Sequence, residues 1–199
     1  MKSTIVIAVV ASALSVAPAM AQSSSHHTKH AASKSASTAG TISARDRAFE
    51  KEAASGGMAE VELGTLAKEK AANADVKQFA DRMVTDHGKL NDELKQWAQQ
   101  KNVTLPTELD AASKTTKGRL SKLSGEAFDR AYMHDMVADH VKDVAAFKHA
   151  STTAKDPDLK SWATKTLPTL EEHLKLARET SSKLSPTTSH TKSHGRKDK

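Results

Sequence analysis

Cysteine is absent from all 199 residues. Its absence excludes disulfides, thiolate metal sites and cysteine nucleophiles, and removes the acceptor that a lipid anchor on an exported chain requires. Stability must therefore come from packing. Aromatic residues make up only 4% of the chain. Phe49, Phe79, Trp97, Phe128, Tyr132, Phe147 and Trp162 all fall in stretches of helical period, which reads as core rather than as a ligand cage. Beyond Ala21 no segment reaches the roughly 20 consecutive apolar residues of a membrane-crossing helix. No glycine-rich phosphate loop is found, since Ser55-Gly56-Gly57 lies inside a helical pattern and lacks the rest of the motif. No serine stands in a strand-to-helix elbow of the nucleophilic hydrolases.

The amino terminus does carry a pattern. Met1-Lys2, an apolar run from Ile5 to Val16 and Pro18-Ala19-Met20-Ala21 form a charged start, a hydrophobic stretch and an Ala-x-Ala cleavage signal. The expectation is a signal peptide over residues 1–21, cleavage after Ala21 and a periplasmic or secreted chain. Residues 22–44 and 185–199 are dominated by Ser, Ala, Thr, His and Lys, with too little apolar surface to offset the entropy of ordering, and both read as disordered tails. Between them, residues 45–184 contain equal numbers of basic and acidic side chains, so the formal net charge of +6 belongs to the signal and tails. That distribution argues against specific nucleic-acid binding, which needs a basic face on a folded element. It allows weak contact of the tails with anionic envelope surfaces. His26, His27, His30, His190 and His194 add a metal-binding signal of low specificity.

The middle of the chain has helical period. Phe49, Ala53, Gly56, Glu60, Leu63 and Ala67 recur at steps of three and four in a first segment, about Arg45 to Ala72. Val76, Ala80, Met83, His87, Leu90, Leu94 and Trp97 do so in a second, about Ala74 to Lys101. Met133, Val137, His140, Val144 and Phe147 mark a third, about Gly125 to Ala154. Leu159, Ala163, Thr166, Leu170, His173, Ala177 and Leu184 mark a fourth, about Pro157 to Leu184. Four helices of similar length, each with one apolar seam, predict an all-α, antiparallel four-helix bundle. A short extra helix fits about Glu108 to Leu120, and the connection containing it could either cap or cross the bundle. Pro168 falls inside the fourth segment, where it should kink the helix or leave a carbonyl unpaired. Gly56, Gly57, Gly64 and Gly88 each cost about 1 kcal/mol against alanine in a helix, so their positions call for a reason.

Each seam has one polar residue where an apolar one belongs: Glu60, His87, His140 and His173. At a rise of about 1.5 Å per residue all four lie near mid-height whichever way the helices run, so they can share one layer. An acid directly precedes each histidine, and Asp86, Asp139 and Glu172 point toward neighbouring helices, where they could orient imidazoles. Met83-Val-Thr-Asp-His87 and Met136-Val-Ala-Asp-His140 form a partial internal repeat. Three imidazoles and a carboxylate suit one zinc, iron, copper or manganese ion. The competing reading is a polar network whose acid and imidazole groups satisfy one another without metal.

Four stretches resemble a known family: Ala53-Ala-Ser-Gly-Gly-Met-Ala-Glu-Val-Glu-Leu-Gly64, Val76-Lys-Gln-Phe-Ala-Asp-Arg-Met-Val-Thr-Asp-His87, Phe128-Asp-Arg-Ala-Tyr-Met133 and Leu167-Pro-Thr-Leu-Glu-Glu-His173. The chain is similar, over about Phe49 to Ala177, to a bacterial exported family of unknown function that is grouped with ferritin-like bundles and often labelled an outer membrane protein. The resemblance implies a ferritin-like four-helix fold and the cell envelope. Di-iron members of the ferritin-like group place Glu three residues before His on two helices. Here Val84, Val137 and Leu170 occupy those positions, which leaves a single-metal site or none. Three functions follow as alternatives: a non-enzymatic, stress-related metal-binding bundle, a metal-dependent oxidoreductase or peroxide-handling enzyme, and an envelope interaction module that uses the basic tails.

Overall fold

The structure, a computed structural model, describes residues 42–184. The expected cleavage site at Ala21, most of the amino-terminal tail and the whole carboxy-terminal tail lie outside the described residues. Five helices follow in order: α1 (Ala44–Lys70), α2 (Ala74–Lys101), α3 (Ala111–Leu120), α4 (Gly125–Thr153) and α5 (Pro157–Leu184). Their starts have chemical causes. Ser43 Oγ accepts from the Asp46 N–H at 3.1 Å, Asn73 Oδ1 from Asp75 and Val76, Asp110 from Ser113, and Asp156 Oδ1 from Asp158 and Leu159. Each satisfies donors that have no partner within the helix. Asn102 ends α2 in the left-handed conformation, with φ 54°. Residues 42–44, which composition places in the disordered tail, belong instead to the fold: Ile42 is buried in the core, Ser43 caps α1 and Ala44 begins it. Pro168 lies within α5, which runs as one helix to Leu184.

Two buried aspartates orient the bundle. Asp46, in the first turn of α1, accepts backbone N–H groups of Lys155 and Asp156 at 3.0–3.1 Å, just beyond α4. Asp129, near the start of α4, accepts those of Ala72 and Asn73 at 3.1 and 2.9 Å, between α1 and α2. Helices α1 and α4 are therefore antiparallel. At the lower end Lys101 bridges to Asp156 at 2.8 Å, joining the end of α2 to the start of α5. At the upper end Lys183 meets Asp75 at 2.8 Å, so α2 and α5 are antiparallel as well. Each connection between paired helices has its free N–H groups satisfied by a carboxylate from the opposite pair, a non-local solution to a local deficit.

It follows that α2 ends at the lower end and α4 begins at the upper, so the connection between them crosses the length of the bundle. Helix α3 lies in this crossover. Lys117 pairs with Glu62 of α1, Arg119 with Asp135 of α4, and Leu120 is fully buried in the upper core. One long crossover between two antiparallel pairs is the connectivity of ferritin-like bundles.

The core has two halves. The upper one contains Leu63, Val76, Phe79, Met83, Phe128, Tyr132, Met136 and Ala177. The lower one contains Ala54, Leu94, Trp97 and Leu159 in one cluster and Phe147, Ala163 and Leu170 in another. On every long helix the predicted polar residue falls between an upper and a lower member: Glu60 between Ala54 and Leu63, His87 between Met83 and Leu94, His140 between Met136 and Phe147, His173 between Leu170 and Ala177.

Of Gly56, Gly57, Gly64 and Gly88, two have a steric reason. A Cβ on Gly64 would stand 2.9 Å from Val84 Cγ2 and 3.1 Å from the Ala80 carbonyl, where α1 and α2 approach closely, and one on Gly57 would overlap Asn91 Oδ1. Nothing within 4 Å obstructs a Cβ on Gly88, and nothing in the structure explains that glycine. Substitution should separate the cases. Gly64→Ala is expected to lower the unfolding free energy by about 1–3 kcal/mol through overpacking, whereas Gly88→Ala should raise it by about 0.5–1 kcal/mol. Urea midpoints of the two variants beside the parent check both signs.

Candidate metal centre

All four predicted layer residues are buried: Glu60 is 3% exposed, His87 4%, and His140 and His173 0%. The three histidines converge. Their ring centres form a near-equilateral triangle, 5.6 Å between His87 and His140, 5.3 Å between His87 and His173, and 5.4 Å between His140 and His173. One ring nitrogen from each lies within 4.8 Å of the others.

Two of the rings are held from behind. His140 Nδ1 donates to the Met136 carbonyl at 2.9 Å, one turn back on its own helix. This places the proton on Nδ1 and leaves Nε2 as a bare lone pair. His173 Nε2 donates to Asp86 Oδ2 at 2.8 Å across the α2–α5 interface, leaving Nδ1 bare, and Arg82 Nε donates to the same carboxylate at 3.3 Å. His140 Nε2, His173 Nδ1 and His87 Nε2 are the buried ring nitrogens without a protein partner. A buried donor or acceptor left unpaired costs about 1–3 kcal/mol, so three such nitrogens together are an expense that the fold does not offset within itself.

The expected orienting acids divide. Asp86 does hold an imidazole on a neighbouring helix, as its position predicts. Asp139 and Glu172 do not; they form surface pairs with Lys142 at 3.2 Å and Lys175 at 3.9 Å. The residue before a histidine is turned about 100° from it, and on α4 and α5 that direction leads outward.

Glu60 stands beside the trio rather than within it. Its Oε1 is 3.8 Å from His140 Nδ1, the side of that ring already bonded to Met136, and its ligand atom groups with those of His140 and Asp143. Asp143 of α4 is absent from the sequence-based set because it lies off the apolar seam, three residues after His140. It reaches α1 beside Gly56, whose Cβ position is 4.0 Å from Asp143 Oδ1. Asn91, one turn beyond His87, also interrupts no seam; its only sequence signal is Gly57, whose missing side chain makes room for it. Tyr132 is a core residue, as its position predicts, but its buried hydroxyl has no protein partner, and burial pushes its proton affinity well up.

Burial governs the electrostatics. It pushes the Glu60 carboxyl well above its ordinary value, with the Asp143 and Asp139 charges adding to the effect. Asp143 is raised to about 7, first by burial and then by Asp139 and Glu52. Desolvation takes His87 well below the usual imidazole value and His140 down to about 4, in both cases helped by neighbouring imidazoles. His173 is lowered by burial against the opposing pull of Asp86. At neutral pH the layer by itself is thus a set of neutral imidazoles beside a Glu60 carboxyl that burial biases toward its protonated form and an Asp143 carboxyl near its midpoint.

A family model described as a domain of unknown function (DUF4142) matches residues 31–180. Among solved structures, the crystal structure of a DUF305 fragment from Deinococcus radiodurans is similar, with a TM-score of 0.64 at 13% identity over 71% of this chain and 98% of that one. At that identity the likeness speaks for the fold alone. No curated protein matches the sequence. Among the described residues no helix is long and apolar enough to cross a membrane.

Proposed function

The chain belongs to the DUF4142 family of domains of unknown function, and from that premise we propose that it is an exported helical bundle that binds one transition-metal ion on His87, His140 and His173. The observation that carries this reading is the triangle of imidazoles. With a metal–nitrogen bond of about 2.0–2.1 Å and about 1.1 Å more to the ring centre, three imidazoles around one ion at tetrahedral to trigonal angles have ring centres roughly 5.2–5.6 Å apart. The distances of 5.3–5.6 Å fall in that interval. Each ring also offers one buried, unpaired nitrogen. A self-satisfied network would have used those nitrogens internally.

Neutral imidazoles suit zinc, copper or iron better than magnesium or calcium. The lowered proton affinity of the trio keeps the ligands in their binding form at neutral pH. Bound charge would also favour the ionised forms of Glu60 and Asp143, which compensate it from one side. Asp86, bonded to His173, fixes a ring tautomer as acids behind metal-ligating histidines do. The exported location rests on the pattern of residues 1–21 and completes the proposal.

Metal analysis of protein purified from a periplasmic fraction, without chelators or an affinity tag, should find one transition-metal ion per chain. The His87→Ala, His140→Ala double variant should contain less than a tenth of that amount. Equal, substoichiometric metal in both would remove the reading.

A further inference from the structure

Two of the three imidazoles have a protein group behind them, the Met136 carbonyl for His140 and the Asp86 carboxylate for His173. The third ring differs. Among the described residues no protein group pairs with His87 Nδ1, and of the two nitrogens of this ring it is Nε2 that is sealed from solvent. His87 is 4% exposed, so Nδ1 keeps a narrow contact with open space, and the ring lines a small cavity of about 20 Å³ together with Asn91, Asp143 and Gly57. A volume of roughly 10–15 Å³ admits one water, so the space takes a single water and no larger molecule. We propose that this cavity binds one water that accepts the Nδ1–H of His87 and is held by Asn91 and Asp143, which makes these two the positioning residues of the third imidazole.

The wall of the cavity has the chemistry this requires. A water needs two to four polar partners to be held in a buried space, and here it meets a ring N–H, an amide and a carboxyl. Among the described residues neither the Asn91 nor the Asp143 side chain is hydrogen-bonded to another protein group, and both line the cavity. Asn91 follows His87 by one helical turn and so shares its face of α2. Gly57 stands opposite on α1, where a Cβ would lie 2.1 Å from Asn91 Oδ1, so the facing helix gives up a side chain where that amide sits. Asp143 brings its carboxyl from α4. The remaining lining side chains are apolar except for the Trp162 indole, whose N–H is donated to Glu93. A proton held on Nδ1 leaves the lone pair of His87 on Nε2, the sealed and unpaired nitrogen of the ring. Histidines that bind metal donate their other ring N–H to a carboxylate, a backbone carbonyl or a water, and the trio would then use one of each. The inference rests on the metal-binding reading above and adds to it what fixes the third ligand.

The test uses the full mature chain, labelled with nitrogen-15 and freed of metal, and reads the histidine tautomers from two-bond proton–nitrogen correlations. His87 is expected as the Nδ1–H tautomer, with a nuclear Overhauser contact between that proton and a bound water. Asn91→Met, whose unbranched chain removes the amide and reaches into the cavity, should lose the water contact and bind Zn²⁺ about 10–100-fold more weakly than the parent, the usual effect of removing a group behind a metal-ligating histidine. Gly57→Ala, which drives the Asn91 amide from its place, is a second variant with the same expected outcome should Asn91→Met fold poorly. An Nε2–H tautomer for His87 in a parent that binds zinc would overturn the water anchor and leave the metal centre standing. A water contact and a zinc affinity unchanged in both variants would overturn it too. Failure of the parent to bind Zn²⁺ would remove the metal reading, and the positioning role with it.

Discussion

In the presence of a chelator the protein should be most stable between about pH 4.5 and 6.5, and one equivalent of Zn²⁺ should move the optimum above neutrality. Two opposed sets of groups produce this. The histidines have lowered proton affinity in the fold, His140 down to about 4 from 6.5. Their contribution is complete above the unfolded value and is lost as pH falls from 6.5 through 4, on the order of 3 kcal/mol for His140 alone. Glu50 and Asp143, raised to about 7, and Glu60, raised well above 4.5, act the other way. Their contribution is present below the unfolded carboxyl value and is lost as pH rises through the folded one. Between about pH 4.5 and 6.5 the slopes offset each other; outside that window one set acts alone.

A divalent ion changes the balance because it favours neutral imidazoles and ionised carboxylates together. At a free concentration one hundred times Kd it adds about 2.7 kcal/mol to the folded state. That gain should fade below pH 6, where protons compete for the ligands in the unfolded chain and then in the folded one. Urea unfolding across pH 4 to 9, with chelator and with Zn²⁺, measures both curves. A zinc-induced gain that is the same at pH 5 and pH 8, or absent at both, would contradict the proposed centre.

Replacing all three histidines by leucine should stabilise the metal-free protein by about 2–4 kcal/mol and abolish its response to zinc. The three unpaired nitrogens each impose a desolvation cost of about 1–3 kcal/mol. Leucine is close to imidazole in volume and continues the apolar seams above and below. Exchanging buried polar groups for apolar ones of similar volume often gains 1–4 kcal/mol net. Asp86 would lose His173 but keep Arg82 and partial contact with solvent. The same triple substitution separates the two explanations of the layer. If the histidines are a self-satisfied structural network, removing them loses hydrogen bonds and lowers stability; if they are kept for a ligand, removing them raises it. Chemical unfolding in chelator decides by the sign of the change.

Much of the architecture was legible in one dimension. The predicted limits of the second and fourth helices coincide with α2 and α5, and Ser, Asn and Asp caps mark most of the starts. The mid-height layer was equally legible, since a polar residue interrupting an apolar seam is visible on each helix separately. Partner choice was not. Asp86 reaches His173 on another helix, while Asp139 and Glu172, in the same position before their histidines, end on surface lysines. Asp143 groups with Glu60 and His140 although it interrupts no seam, and Asp46 and Asp129 serve connections more than fifty residues away.

What the sequence by itself determined was the helices, their buried faces and the height at which Glu60, His87, His140 and His173 lie, because helical period and rise are local and repeat every few residues. Only the tertiary structure decided that the α2–α4 connection crosses the bundle, that Glu60 groups with His140 and Asp143 beside the trio, and that one ring nitrogen of each histidine lies within 4.8 Å of the others. Those outcomes depend on how each helix is rotated about its axis and which neighbour it meets, and packing between distant parts of the chain settles both.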